Sequence, residues 1–505
     1  MYSIKWMTVL ALLGTASVAR AQDVYDMEHF STNDLNGTAR YVGMGGAMAA
    51  LGGDLSVMGT NPAGVGVYRT SDVALTGSLL ITNTGGVIGY DAVRASMDNA
   101  GIVFSTPVHD SPVKFVNYGV NYAKRKNFFG NIDTGVDNLF GAYSQTHQIA
   151  GMANATSSVD EWGTLIDLSV ANKGKHDGII TANQHEEDGK IIYDSFEGMP
   201  ADEASYQRHT YGSIAQTDIN AAVNINDRFF AGVSVGIYSI NYNRDSRYFE
   251  RGMDDYAYRF DNFSSTDGDG VDIKLGVIAR PFANSPFRIG AYLHTPTWYN
   301  LTDLCKTTLT YDDGSFHHYN SGEYDYRYHT PWKVGVGIGH TVGRSFAIDV
   351  DYEYSDLSAC RYRLDHGGFS DYFSAINKYA KYALNGQHTI KAGVEFKPIP
   401  SVSLRLGYNW VSSPFNKNAY RQLAIDDPET ETAFTNWKAT NRLTCGVGFR
   451  FKGGYFDLAY QYQIQKGDFY AFGDQYVDDD YAEVIKPTSV NNNRSQVMCT
   501  LGFKF

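Results

Sequence analysis

Val497-Met-Cys-Thr-Leu-Gly-Phe-Lys-Phe505 decides the fold class. Val497, Cys499, Leu501, Phe503 and Phe505 take one side of an extended chain; Met498, Thr500, Gly502 and Lys504 take the other. Side chains alternate faces along a strand, so the segment offers one face to lipid and one to a polar interior. The pattern recurs upstream. Trp332, Val334, Val336 and Ile338 alternate with Lys333, Gly335, Gly337 and Gly339. Val402, Leu404, Leu406, Tyr408 and Trp410 alternate with Ser401, Ser403, Arg405, Gly407 and Asn409. Leu443, Cys445, Val447, Phe449 and Phe451 alternate with Arg442, Thr444, Gly446, Gly448 and Arg450. A soluble sandwich alternates too, but aromatics gathered at strand ends fit the interfacial girdles of a membrane barrel.

Fourteen candidate strands follow, near 72–82, 101–108, 114–124, 211–225, 229–243, 270–281, 287–311, 323–342, 344–356, 388–397, 401–413, 440–452, 455–466 and 494–505. Short turns at 109–113, 226–228, 282–286, Gly343, 398–400 and Gly453-Gly454 alternate with long segments at 83–100, 125–210, 244–269, 312–322, 357–387, 414–439 and 467–493. Short periplasmic turns and long external loops produce that rhythm, and an even strand count suits a single-chain bacterial barrel. The expected fold is all-β: a 14-stranded antiparallel transmembrane β-barrel over 72–505, whose largest external loop is 125–210.

Composition agrees. The 505 residues include 37 Tyr, 28 Phe and 51 Gly, a Tyr- and Gly-rich balance that suits β structure. Apolar residues at 43% and charged ones at 19% exclude a disordered chain. A net charge of −13 argues against nucleic acid as a partner, since phosphates demand a basic face. Four cysteines make no disulfide scaffold. Residues 1–21 read as a signal peptide: Lys5 is the positive start, Thr8 to Ala19 the apolar stretch, and Ala19-Arg20-Ala21 a cleavage site near Ala21. After Gln22 no apolar run is long enough for a membrane-spanning helix. An exported chain ending on an apolar-out strand with Phe505 resembles the clients of the barrel-assembly machinery. The expected address is therefore the bacterial outer membrane, with lipid and lipopolysaccharide around the wall.

Residues 22–71 precede the first strand and do not alternate. They run through Gly37-Thr-Ala-Arg40, Gly43-Met-Gly45-Gly46-Ala47, Asp54 and Asn61-Pro62-Ala63-Gly64. Gly43, Gly45 and Gly46 permit positive φ and close backbone approach, and Pro62 makes a stiff corner after an extended Asn61. A compact segment of this kind can pack inside a lumen. The spacing Gly43-x-Gly45-Gly46 lacks the Lys-Ser/Thr of a phosphate loop. Together these features resemble the FadL/TodX family of outer-membrane transporters for hydrophobic compounds, in the branch common among Bacteroidetes. The resemblance covers this segment, the first three strands and the fourteen-strand layout. It implies an N-terminal hatch plugging the barrel, with Gly43, Gly45, Gly46, Asn61, Pro62 and Ala63 at its gating turns. It also implies a fatty acid-like hydrophobic ligand, passed by diffusion through external capture, an inner pocket and a shift of the hatch. The plain alternative is a folded arm that only holds the barrel shut.

The alternation also directs Asp349, Asp351, Glu353, Lys391, Glu395, Arg405, Arg442 and Arg450 into the lumen, because charges facing lipid cost several kcal/mol near the midplane. Opposite signs on adjacent strands then pair, either as a lattice that stiffens the wall and fastens the hatch or with one cation left for a substrate carboxylate. Segment 125–210 carries 13 acidic and 6 basic residues and is well solvated. Within it, Ser158-Val-Asp-Glu161 reads as a capping box ahead of Val159, Trp162, Leu165 and Ile166. Tyr372, Ile376, Tyr379 and Ala380 give a second amphipathic helix over 370–384. Asp478-Asp-Asp480 and Asp267-Gly-Asp269 lack calcium-loop spacing, and His317-His318 lacks a metal or haem partner, although relatives are sometimes labelled haemin receptors. No cofactor is expected. Cys445 and Cys499 face lipid; Cys305 and Cys360 lie near the external rim, where a pairing stays open. No nucleophile–base spacing carries meaning, so catalysis is not expected. The rival to transport is a barrel component of a secretion or surface-anchoring complex.

Overall fold

The computed structural model describes residues 22–505 apart from 83–91, 137–142, 157, 160–161, 171–177, 189, 253–255, 366–370, 424–427, 474, 479–480 and 484–485. The signal-peptide reading of 1–21, the core of the proposed capping box at 158–161 and most of Asp478-Asp-Asp480 lie outside those residues.

Fourteen antiparallel strands close into one wall. They are β1 (Asp72–Thr82), β2 (Val93–Pro107), β3 (Val113–Asn127, carried on by Gly130–Gly135), β4 (Ala201–Ile225), β5 (Phe229–Gly252), β6 (Ala257–Ala279) and β7 (Arg288–His294 with Trp298–Tyr311). Then come β8 (Tyr324–His329 with Lys333–Val342), β9 (Phe346–Asp356 with Arg361–Leu364), β10 (Gly386–Ile399), β11 (Val402–Val411), β12 (Phe434–Phe451), β13 (Gly454–Tyr470) and β14 (Arg494–Lys504). β14 pairs back onto β1, from Asp72↔Lys504 to Thr82↔Arg494, so the sheet closes on itself.

The faces are inverted relative to a water-soluble protein. Leu79, Val336, Ile338, Leu404, Leu406, Leu443 and Leu501 are exposed on the outside, while Asn117, Asn121, Asp349, Asp351, Arg405 and Thr500 are buried within. An apolar exterior around a polar interior is stable only in lipid. Phe346 at one rim and Tyr352 and Tyr408 at the other bound this belt as aromatic girdles.

The strands depart from the sequence reading mainly in height. β2 starts eight residues earlier than its candidate at 101–108, and β4, β5 and β6 reach up to 201, 252 and 257. The supposed external loop 244–269 is therefore mostly strand. Above the girdle no lipid selects an apolar face, so the inward set of Tyr242, Arg244, Ser246, Tyr248 and Glu250 gives no hydropathy signal although all are buried. β10 and β11, in contrast, stop low, at Gly386 and Val411. Pro296 and Pro331, which have no backbone N–H to donate, interrupt β7 and β8, and a 3₁₀ turn at Leu357–Ala359 interrupts β9.

Residues 22–71 fill the lumen with α1 (Val24–Ser31), α2 (Ala39–Gly43) and 3₁₀ turns at Leu55–Gly59 and Pro62–Val67. Outside, α3 (Gln145–Asn154), α4 (Thr164–Ser169) and a hairpin of Thr181–Glu187 and Lys190–Glu197 cover the tall strands around Ile149, Ile166, Tyr206 and Phe472. α4 holds Leu165 and Ile166 of the expected stripe but starts after Gly163. α5 (Asp371–Ala383) matches the second expected helix, burying Ile376 and Ala380.

Candidate functional site: the hatch, its clasps and the cavity above it

The hatch is seated by close approach. Gly45 and Gly46 have φ of +65° and +77°, and a side chain on Gly45 would come within 2.7 Å of the Tyr408 backbone. Gly43 differs from expectation: it closes α2 in helical geometry and serves only close packing, its nearest neighbour being Gly446. Lumen-facing glycines answer from the wall. A Cβ on Gly232 would meet Pro62 at 2.5 Å and one on Gly276 would meet Pro62 at 2.8 Å, so two adjacent strands are cut back where the Asn-Pro-Ala corner rests. This is one physical reason for the high glycine content.

Asn61 is extended, at φ −105° and ψ 99°, as a residue before proline should be. Its side chain joins three partners. Oδ1 accepts from Ala63 N (3.2 Å), capping the 3₁₀ turn, while Nδ2 donates to Ala49 O (2.7 Å) and to Val277 O on β6 (3.2 Å). Asn61 thus ties two hatch turns to the wall. Pro62 and Ala63 sit fully inside, Ala63 packed on Phe230 and Ile278.

The charged wall residues fasten this plug. Asp351 Oδ2 accepts from the backbone N–H groups of Met48 and Ala49, both at 3.0 Å. Asp349 Oδ2 accepts from Ala50 (3.1 Å) and Leu51 (2.9 Å). Glu395 takes Arg405 (2.7 Å) from β11 and Arg40 (3.2 Å) from α2, and Arg405 also meets Asp457 (2.5 Å). Lys391 (3.1 Å) and Lys333 (3.4 Å) both pair with Glu353. The lattice-and-fastener arrangement expected of these residues is what forms. Arg450 is the exception: it reaches the periplasmic rim and is exposed.

Higher in the lumen α1 is held by charge and aromatic packing. Asp23 caps it, accepting from Tyr25 N (2.7 Å) and Asp26 N (3.0 Å), and also pairs with Arg421 (2.7 Å). Arg421 and Arg244 share Glu429. Burial, reinforced by Asp23, raises the Asp26 carboxyl well above the usual carboxylate range. Glu28 goes the other way: burial opposes ionisation, but Lys126, His29 and Thr32 hold it down at about 2. Burial lowers His29.

Between the C-terminal half of α1, with the residues that follow it to Asp34, and the wall lies a cavity of about 110 Å³. Lys126, Arg208, Arg442 and Arg494 line it against Glu28 and Asp34, so cations outnumber carboxylates. Arg442 and Arg494 approach Asp34 at 3.6 and 3.9 Å, and Arg442 also donates to Gln463 (2.9 Å) and Asn409 (3.0 Å). Phe128, Tyr242, Val411 and Trp437 supply the apolar part of the lining. The signal in the sequence for the α1 cap is Asp23-x-x-Asp26 ahead of Met27 and Phe30, whereas Asp34 carries none.

The remaining candidates resolve simply. Cys360 Sγ lies 3.1 Å from Ser31 Oγ, and no disulfide joins it to Cys305. Cys445 and Cys499 are exposed on the lipid face. His317 and His318 lie on a strand, Phe316–Asn320, and no cluster able to hold a metal occurs among the described residues.

A lumen filled by its own N-terminal segment, inside a closed wall with an apolar belt, defines a hatch-plugged fourteen-stranded transmembrane barrel. No protein-family model and no curated protein matches the sequence. Solved structures do match. A Pseudomonas aeruginosa FadL homologue is 11% identical, covering 94% of this chain and 100% of that one at a TM-score of 0.53. The CymD monoaromatic hydrocarbon channel is 12% identical, covering 94% and 99% at 0.51. The Pseudomonas putida toluene transporter TodX is 12% identical, covering 94% and 99% at 0.50. The chain has the fold of the FadL/TodX family.

Proposed function

We propose that this protein passes hydrophobic small molecules across the bacterial outer membrane by diffusion, with residues 22–71 as the gate. The observation that carries the reading is the cavity beside α1, lined in part by Glu28 to Asp34 of a plug that is fastened by hydrogen bonds and ion pairs, all of them reversible. The fold shared with a toluene transporter and a FadL homologue supports it. The cationic surplus of the cavity favours an amphiphile with an anionic head, a long-chain fatty acid being the simplest, with Arg442 as the group that meets the carboxylate. At about 110 Å³ the cavity is smaller than the roughly 150 Å³ that accepts a benzene ring, so a ligand of that size or larger enters only if the lining moves. Passage requires the turns at Gly45-Gly46 and Asn61-Pro62-Ala63 to shift. The secretion or anchoring role gains no support from this geometry.

The test is uptake of labelled oleate by a Gram-negative host lacking its own transporter, expressing the parent or Asn61→Ala. Folding is checked by heat-modifiable migration. Uptake by the parent, reduced in the variant, is expected; a folded parent that takes up nothing refutes the reading.

A further inference from the structure

The rim of the wall that faces the periplasm carries positive charge all the way round. Six short turns join the strands there, and β14 meets β1 at the closing seam. Lys114 follows the first turn, Arg228 lies on the second, Arg280 opens the third and Arg344 sits on the fourth. Lys397 leads into the fifth, Lys452 sits on the sixth and Lys504 stands at the seam. All of these side chains are exposed or half-exposed. Among the described residues the same rim exposes only the carboxylates of Asp110 and Asp227, and Arg69 takes Asp227 at 2.6 Å. Lys397 and Lys504 are shared with buried Glu395 (3.1 Å) and Asp72 (3.4 Å). Lys114, Arg228, Arg344 and Lys452 have no carboxylate partner among the described residues. The chain as a whole stands at −13, so this excess is local.

Two features say what the ring faces. Aromatic side chains project at the same height: Phe282, Phe396, Phe451 and Phe505 are exposed, and the Arg69 guanidinium lies 5.5 Å from the centre of the Phe115 ring. Rings beside the stems of Lys and Arg mark the boundary between hydrocarbon and headgroups. The charge is also spread over the circumference, on turns about 10 Å apart at two strand spacings. A docked protein would need it gathered in one sector, whereas a sheet of headgroups meets every turn. The opposite girdle is built differently, since Tyr352, Tyr408 and Tyr460 bond there to His388, Asn441 and Ser495.

We propose that this rim is a binding ring for anionic phospholipids of the inner leaflet, with the cation of each turn meeting the phosphate of one headgroup. Lys and Arg at a membrane surface attract acidic lipids, and Arg takes phosphate oxygens bidentately. A zwitterionic lipid brings its own ammonium, which offsets that attraction. At physiological salt, charges more than about 8 Å apart are largely screened from one another, so each turn acts as its own site. The ring depends on the barrel and its orientation and not on what the barrel passes. It stands or falls separately from the transport reading.

The purified protein is placed in phosphatidylcholine vesicles, and electron paramagnetic resonance measures the fraction of spin-labelled phosphatidylglycerol or phosphatidylcholine held at the wall. A headgroup beside one cation is favoured about fivefold, which averaged over both leaflets gives a preference for phosphatidylglycerol of about twofold at low salt. In about 1 M NaCl the two probes are expected to reach parity. Lys114→Gln/Arg228→Gln/Arg344→Gln/Lys452→Gln touches neither the hatch nor its clasps, and is expected to lose most of the preference while migrating as the parent does. Lys378→Gln/Lys381→Gln, on the external helix α5, is expected to keep it. Parity in the parent at low salt, or a quadruple variant as selective as the parent, overturns the ring. A preference lost with the α5 pair instead places the site in the outer leaflet and overturns it too.

Discussion

Replacing Asp349 and Asp351 together by Ala isolates what holds the hatch down. Each carboxylate accepts two hatch N–H groups at 2.9–3.1 Å, so the double variant strands four backbone donors. A buried donor left unpaired costs about 1–3 kcal/mol, giving roughly 4–12 kcal/mol gross. Removing two neighbouring buried carboxylates, whose Oδ1 atoms have no hydrogen-bond partner, returns several kcal/mol of desolvation. A net weakening of docking by about 2–4 kcal/mol remains, or a rise of roughly 30-fold to nearly 1,000-fold in the undocked population. The wall keeps its ladder bonds, so heat-modifiable migration should match the parent. Planar-bilayer conductance should rise from closed to frequently open, and limited proteolysis from the periplasmic side should nick residues 40–60. A double variant that stays as silent and protease-resistant as the parent would falsify the idea that these carboxylates clasp the plug.

Three further outcomes are expected. Arg442→Gln should weaken oleate binding by about tenfold, roughly one charge-assisted hydrogen bond, while leaving methyl oleate within about twofold, as measured by fluorescence competition. Raising the pH from about 7 to about 9 should loosen α1. The Asp26 pKa is raised in the docked state, so its contribution is complete below the ordinary carboxylate value and is lost as pH climbs through the raised one; Glu28 and His29 have depressed pKa values and lose their contributions only towards acid. Hydrogen exchange of residues 24–31 should follow that slope, and Asp26→Asn should flatten it. Gly276→Val should leave a folded but leaky barrel, because its Cβ would overlap Pro62 and the hatch must lift; conductance at the parent's level would count against the glycine seat.

How much of this was legible depends on where lipid touches the chain. Inside the membrane belt the outward residues must be apolar, and Val334, Leu404 and Val497 announce their strands. Above it both faces meet protein or water, so the outer halves of β4, β5 and β6 carry no alternation that separates them from loop. The lumen charges were legible for the same reason in reverse, since Asp349, Asp351 and Arg405 sit at positions that cannot face lipid. Their targets were not, because the acceptors and donors at Met48 to Leu51 are backbone atoms that any residue carries.

Thr500 carries one more implication. On β14 it shares a hydroxyl contact with Thr76 of β1 at 2.7 Å and accepts from Ala39 N of the hatch at 2.7 Å. β14 thus meets, at the seam where the wall closes, both β1 and the segment that precedes it. The plug touches β6, β9, β11 and β14 at once, so it ties the seam where the wall closes to three other parts of the circumference.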